Sequence, residues 1–186
     1  GEDENTLKAA IAFKNSNLGT PILVAKKETI KKRLKEIGYS ENLDIEITNS
    51  TDKIKREKYV KFLFQKMQRE QGLLERDCDR MVRNDPVIWA SCMVSCGDAD
   101  GVVTGNTRRY GASLEKITKV IDSRPGEIMF GLNMIVNKGK TVFVGDTSVH
   151  EYPSSEQLAE IAISSARVVR LFGFNPKVAF VSHSTF

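Results

Sequence analysis

The chain has 186 residues, a formal net charge of +4, 40% hydrophobic and 28% charged residues, which is the composition of an ordinary globular protein. No run approaches the ~20 apolar residues of a membrane span, and the acidic start "GEDENTLKAA" lacks an apolar signal region, so we predict neither membrane insertion nor secretion. The three cysteines include no CxxC pair and favour reduced thiols in the cytoplasm over a zinc site: Cys78, Cys92 and Cys96.

The first half of the chain alternates short apolar runs with charged amphipathic segments. In "KKETIKKRLKEIG" the apolar residues recur at helical spacing, which places the lysines on a solvated helix face. Basic residues alternate there with acids and no stacking aromatics accompany them, which favours a solvated face over a nucleic-acid patch. We predict helices and strands in the order helix 4–17, strand 21–25, helix 26–38, strand 43–49, helix 54–71 and a further helical segment 75–85.

The second half adds strands and helices in alternation, as in an α/β protein. Asn84, Asp85 and Pro86 offer an N-terminal cap to the helix that follows, and "NKGK" offers a hairpin turn between two strands. We therefore predict a mixed sheet. The predicted segments are helix 86–96, buried strand 99–105, helix 113–122, strands 128–136 and 141–147, a helix opening at 153–156, and a closing strand 177–184.

The stretch "VVTGNTRRYG" holds the densest group of candidate binding residues. Gly105 allows close approach of a ligand to the backbone, and paired arginines with free loop N–H groups suit a phosphate or a carboxylate. The alternative is an exposed loop whose arginines meet only water or neighbouring acids. The stretch has neither a P-loop nor a GxGxxG pattern. The candidates are Thr104, Asn106, Thr107, Arg108, Arg109 and Tyr110.

Two further groups of polar residues follow predicted strands. Asp146 and Thr147 are candidates to line a cleft, and His150 is either an acid or base or a surface ion-pair partner of Glu151. The closing strand ends in further candidates, but no GxSxG elbow precedes its serines, so we predict no catalytic triad. Asp98 and Asp100 are predicted to be loop and cap groups, and we predict no metal site. The strand-end candidates are Ser182, Ser184 and Thr185, with His183 between them.

Several ordered motifs in series resemble one family, the phosphate acetyltransferase family, and within it the C-terminal domain of bacterial NADP-dependent malic enzymes. The motifs are "RNDPVIWASCMVSCGDADGVVTGNTRRY", "IDSRPGEIMFGLNMIVNKGKTVFVGDTSVHEYPSSEQLAEIA" and "GFNPKVAFVSHSTF". The "TRRY" loop, the "IDSRPG" break and the "STF" ending favour the malic enzyme branch. Phosphotransacetylases usually carry Ser-Thr-Lys-Gly-Ser where this chain has Ser184, Thr185 and Phe186.

The resemblance implies a three-layer α/β/α fold with a mixed sheet, similar to that of isocitrate and isopropylmalate dehydrogenases. It implies two lobes with acetyl-CoA bound in the cleft between them, the first over residues 1–124 and the second, incomplete, over 125–186. Family members continue beyond "STF", so the chain resembles an interior fragment of a larger domain.

The resemblance also implies a function. The family's catalytic arginine and aspartate lie beyond the last residue, and the position of another phosphate-contacting arginine is occupied by Glu115, so we expect no catalytic residue here. We expect an acetyl-CoA-sensing, oligomerising module, a dimer or higher, with no cofactor of its own. NADP, a divalent metal (Mg or Mn) and the decarboxylation of malate would belong to upstream malic enzyme domains. The alternatives are a working phosphate acetyltransferase and a purely structural assembly domain.

Overall fold

The computed structural model describes residues 2–40 and 44–181, and the chain forms two compact units. Unit 1 comprises Gly1–Asp122 and unit 2 comprises Ser123–Phe186. Within the described residues, no helix is long and apolar enough to cross a membrane.

Unit 1 contains six helices and a pair of short strands within the part of the chain that is described. Asp3, Asp52 and Asp85 cap three of the helices by accepting a hydrogen bond from a backbone N–H of the first turn. Pro86 occupies the first position of its helix, as the sequence predicts. The elements are α1 (Glu4–Asn15), β1 (Ile22–Val24), α2 (Lys27–Glu36), β2 (Glu46–Thr48), α3 (Lys53–Gln71), α4 (Glu75–Asn84), α5 (Pro86–Ser95) and α6 (Tyr110–Val120).

The strands β1 and β2 are parallel, with Leu23 opposite Ile47. Beyond the strand ends, the Ala25 N–H donates to the Thr48 carbonyl at 3.0 Å, and the Asn49 side-chain amide donates to the Ala25 carbonyl at 2.9 Å. A first core packs around this pair and buries one face of α1 and of α2. Its buried residues are Leu7, Ile11, Leu23, Ala25, Ile30, Leu34 and Ile45.

A second core of unit 1 lies among α3, α4, α5 and the end of α6. Trp89 is 1% exposed and meets Tyr59 edge to face, with the ring centroids 4.8 Å apart. The three cysteines are free; Cys78 and Cys92 are buried here, and Cys96 is half-buried. Burial raises the pKa of Cys92 to about 12. The buried members are Tyr59, Val60, Leu63, Met67, Cys78, Val82, Ile88, Trp89, Cys92, Met93 and Val120.

Unit 2 consists of an antiparallel hairpin and one long helix among its described residues. The strands β3 (Leu132–Asn137) and β4 (Lys140–Gly145) are joined by Lys138 and Gly139, whose φ values of 47° and 78° suit a two-residue hairpin turn. The helix α7 (Ser155–Leu171) opens with a capping box between Ser154 and Gln157. The predicted hairpin, its turn and the start of the last helix are thus confirmed.

Two predicted strands are wrong where the structure describes them. Residues 101–105 have no regular secondary structure and Val103 is fully exposed, whereas the sequence predicted a buried strand over 99–105. Residues 177–181 are also irregular, with Phe180 67% exposed and Val181 91% exposed. A strand needs a hydrogen-bonding neighbour, and no described segment pairs with either stretch. Residues 182–184 of the predicted closing strand lie outside the described residues.

The α/β class is confirmed, and parallel and antiparallel pairings both occur, as in the predicted mixed sheet. Among the described residues they form two separate two-stranded sheets, β1–β2 in unit 1 and β3–β4 in unit 2.

Candidate anion-binding site

The arginine-bearing loop of unit 1 runs from Thr104 to the first residue of α6, and its side chains are exposed. Gly105 and Asn106 have φ values of 136° and 57°, so the chain turns in conformations that favour glycine and asparagine. The Thr107 N–H closes the turn on the Gly105 carbonyl at 2.7 Å. The Asn106 side-chain amide donates to Asp3 Oδ2 at 2.5 Å, which fastens the loop to the start of α1.

A second fastening holds the loop to the helix α5. Arg108 Nη1 lies 3.8 Å from Asp85 Oδ1, and Lys116 of α6 forms a close ion pair with Asp85 Oδ2. The same Asp85 carboxylate accepts a hydrogen bond from the Val87 N–H at 2.9 Å and thereby caps α5. One carboxylate therefore ties together the start of α5, the loop and the second half of α6.

Arg109 and Tyr110 have a different environment. Arg109 is exposed, and its guanidinium has no hydrogen bond or ion pair with any of the residues described in the structure. Tyr110 is 53% exposed. Neither a side-chain cap nor an acidic residue occupies the first turn of α6, which begins at Tyr110. A guanidinium in this setting is available to an external anion.

Asp98 anchors the chain just before the loop. Its carboxylate accepts hydrogen bonds from Lys58 Nζ at 2.8 and 2.9 Å and from the Tyr59 hydroxyl at 2.8 Å. The hydrogen bonds from Lys58 and then Tyr59 hold the pKa of Asp98 below its ordinary value. Asp98 is therefore a structural tie to α3, in agreement with its predicted role as a loop group.

Glu115 is exposed on α6, and its carboxylate binds Lys119 Nζ at 2.7 Å. The hydrogen bond and the charge of Lys119 hold the pKa of Glu115 below its ordinary value, so the residue is an anion at neutral pH.

In unit 2, Asp146 follows β4 directly, and its side chain is only 2% exposed. Its Oδ1 accepts hydrogen bonds from the N–H groups of Gly131, Ser148 and Val149 at 2.9, 3.1 and 3.2 Å. Its Oδ2 accepts from the His150 N–H at 2.9 Å and lies 2.7 Å from His150 Nδ1. Burial opposes ionisation of Asp146, but the hydrogen bonds outweigh it and hold the pKa well below the ordinary value.

The surroundings of Asp146 leave little room. A Cβ on Gly131 would come within 3.0 Å of Asp146 Oδ1 and 3.1 Å of Thr147 Oγ1. Thr147 itself is exposed. His150 pairs with Asp146 rather than with Glu151, the partner that the sequence suggested.

The sequence predicted the candidate residues but missed the contacts that hold them. The contact between Asn106 and Asp3 joins residues 103 positions apart, and no local pattern indicates such a link. The predicted cap at Asp85 was a usable signal, although it did not reveal that Arg108 and Lys116 share the carboxylate. The candidates Ser182, Ser184 and Thr185, with His183, lie outside the described residues. Within the described ranges, no group of three histidine, cysteine or acidic side chains is arranged to hold a metal ion.

Comparison with known proteins gives one matching family profile and curated relatives of two kinds. The sequence profile described as "Phosphate acetyl/butaryl transferase" matches residues 1–186. The chain is 37% identical over its whole length to the NADP-dependent malic enzyme of Rhizobium meliloti (strain 1021), of which it covers 24%. It is 30% identical over its whole length to the phosphate acetyltransferase of Nitratidesulfovibrio vulgaris, of which it covers 26%.

Two solved structures share the fold. The EutD phosphotransacetylase from Staphylococcus aureus superimposes with a TM-score of 0.83 at 25% identity, over 94% of this chain and 52% of that one. A phosphotransacetylase from Streptococcus pyogenes superimposes with a TM-score of 0.87 at 24% identity, over 98% of this chain and 55% of that one. The chain thus spans about a quarter of the length of the curated relatives it matches and about half of these structures.

Proposed function

Because the chain belongs to the phosphate acetyl/butaryl transferase family, we propose that it is the phosphotransacetylase-like domain of an NADP-dependent malic enzyme. In this proposal the domain binds acetyl-CoA as an effector and holds subunits together. The observation that carries it is the 37% identity to two NADP-dependent malic enzymes along the whole chain; three further NADP-dependent malic enzymes are 30–32% identical, and a phosphate acetyltransferase is 30% identical.

We also propose the finer architecture that the resemblance implies, two lobes of the kind found in isocitrate and isopropylmalate dehydrogenases. The division of the chain into units at Asp122 and Ser123 supports a lobe boundary near residues 124 and 125. A cytoplasmic location is part of the proposal, and the three free cysteines support it.

The oxidation and decarboxylation of malate are proposed for other domains of the parent protein, together with NADP and a divalent metal ion. The names of the malic enzyme relatives support NADP as the cofactor of such a parent. This chain would contribute effector binding and assembly to that enzyme, and no chemical step.

We expect the native protein that carries this chain to bind acetyl-CoA but not to transfer its acetyl group to phosphate. Glu115 places a negative charge where catalytic relatives, by resemblance, carry a phosphate-contacting arginine, and Lys119 keeps it ionised. Isothermal titration with acetyl-CoA measures binding, and a coupled assay for acetyl phosphate measures transfer.

The two measurements separate the alternative functions. A working phosphate acetyltransferase run under identical conditions is the positive control for the coupled assay. Acetyl phosphate formed above the uncatalysed background would favour the catalytic alternative. No heat of binding with acetyl-CoA would leave only the structural assembly role.

We expect the native protein to self-associate through unit 2. Only Ile161 and Val169 are buried among the described apolar residues of unit 2, while Leu171 is 86% exposed and Phe172 is 55% exposed. Large apolar side chains exposed together are typical of an interaction surface, and a two-fold dimer is the commonest closed assembly. Light scattering over a concentration series should show a mass above that of one chain, and Leu171→Glu should reduce it.

Arg170→Glu is the matched control, because it changes charge on the same exposed helix end without removing apolar area. A single-chain mass at all concentrations would contradict self-association. If Leu171→Glu leaves the assembly intact, the contact between subunits does not lie at the end of α7.

A further inference from the structure

The two adjacent arginines of the Thr104–Tyr110 loop are not equivalent. Arg108 lies 3.8 Å from the Asp85 carboxylate, and its side chain is 38% exposed. Arg109 is exposed and has no hydrogen-bond or ion-pair partner in the described ranges 2–40 and 44–181. The Asp85 carboxylate offsets part of the charge of Arg108 and repels a second anion, whereas an unpaired arginine gives up only hydration to bind one.

We propose that Arg109 binds the phosphate of a ligand, while Arg108 is a positioning residue that holds the loop through Asp85. The identity of that ligand as acetyl-CoA rests on the proposed function, but the division of roles rests on the contacts of the two side chains. The ligand class is a phosphorylated nucleotide, since the guanidinium suits phosphate and the neighbouring Tyr110 ring, 53% exposed, suits stacking on a base.

Two contacts hold the loop in place. Asn106 is tied to Asp3 at 2.5 Å, and Arg108 is tied to Asp85, so residues on both sides of Thr107 are anchored. Asp85 is itself held by Lys116 and by its cap on α5. Because the loop that carries Arg109 is held in place, less conformational entropy is lost when Arg109 binds a ligand. The roles therefore differ in kind: Arg109 contacts the anion, and Arg108 acts through the loop.

The test compares Arg108→Gln, Arg109→Gln and Arg109→Lys in the native protein, with titrations of both acetyl-CoA and inorganic pyrophosphate. We expect Arg109→Gln to weaken binding of each probe by about tenfold or more, because a charge-assisted hydrogen bond is lost. Arg108→Gln should weaken binding by no more than about threefold, as for an exposed ion pair. Arg109→Lys should recover part of the lost affinity, which a purely structural role would not predict.

Arg76→Gln is the control for the loss of one positive charge from unit 1. Arg76 is exposed and forms no ion pair with the other described residues. Circular dichroism establishes that each variant is folded; Arg109 is exposed, so its substitution removes no buried contact.

The outcomes separate this inference from the proposed function. If Arg109→Gln keeps full affinity for both probes, or Arg108→Gln loses as much affinity as Arg109→Gln, the division of roles is wrong. If the protein binds pyrophosphate through Arg109 but does not bind acetyl-CoA, the division of roles between the two arginines is supported. The same result contradicts acetyl-CoA as the effector. A native protein that binds neither probe would overturn both.

Discussion

Replacing Asp146 by asparagine is expected to lower the free energy of unfolding of unit 2 by about 2–4 kcal/mol. The carboxylate is nearly fully buried and accepts five hydrogen bonds, three at Oδ1 and two at Oδ2. An asparagine amide must place its NH2 either against the three N–H groups at Oδ1 or against the His150 N–H at Oδ2, which leaves at least one donor unpaired in a buried setting. Hydrogen exchange of the hairpin and of residues 146–150 measures the loss.

Glu151→Gln is the matched control, because Glu151 is an exposed acid of the same loop. This substitution is expected to leave the hydrogen-exchange rates unchanged. The chain has a single tryptophan, Trp89, which lies in unit 1. Its fluorescence reports separately on whether unit 1 stays folded. Wild-type exchange rates in Asp146→Asn would show that the hydrogen-bonded carboxylate contributes nothing to stability.

The same carboxylate predicts the direction of the acid response. The folded-state pKa of Asp146 lies below the ordinary value of 3.8, so the unfolded chain takes up the proton first as the pH falls. The stabilisation is complete above about pH 5 and is lost progressively as the pH falls through 3.8 towards the lower folded pKa. Asp146→Asn should therefore flatten the acid limb of the stability curve of unit 2.

Replacing Trp89 by alanine is expected to lower the free energy of unfolding of unit 1 by about 3–5 kcal/mol. The side chain is 1% exposed and packs against the ring of Tyr59, which is itself fully buried. The substitution removes the largest side chain of the second core and leaves a cavity among α3, α4 and α5. Because it also removes the only tryptophan, unfolding in urea is followed by circular dichroism.

Leu18→Ala provides the comparison, because Leu18 belongs to the same unit and is 70% exposed. The free energy of unfolding of the Leu18→Ala variant should stay within about 0.5 kcal/mol of the wild-type value. Equal losses in the two variants would mean that the packing of Trp89 against Tyr59 does not determine the stability of unit 1.

Much of the fold could be predicted where the signal is local. The hairpin turn at Asn137–Lys140 and the cap at Asp85 follow from residues that lie next to each other in the chain. The ordered motifs identified the family, which the profile match over residues 1–186 confirms. These signals need no knowledge of distant partners.

The features that the sequence did not predict correctly depend on residues outside the local stretch. The apolar run at 99–105 has strand composition, but composition does not supply the neighbouring strand that backbone hydrogen bonds require, and Val103 is exposed. The link between Asn106 and Asp3 has no sequence signature. For the candidate site, the sequence indicated the loop, but the different environments of Arg108 and Arg109 follow from the position of Asp85, which lies more than twenty residues earlier in the chain.

The positions of the three thiols have a consequence for how the molecule opens. Cys78, Cys92 and Cys96 all belong to unit 1, and unit 2 has no sulfhydryl group. Burial raises the pKa of each thiol, so the reactive thiolate is scarce while unit 1 is closed. The rate of thiol alkylation therefore measures the opening of unit 1 alone. Alkylation of Cys96, which is half-buried at the end of α5, reports local fraying of that helix end. Alkylation of the two buried thiols reports loss of the second core.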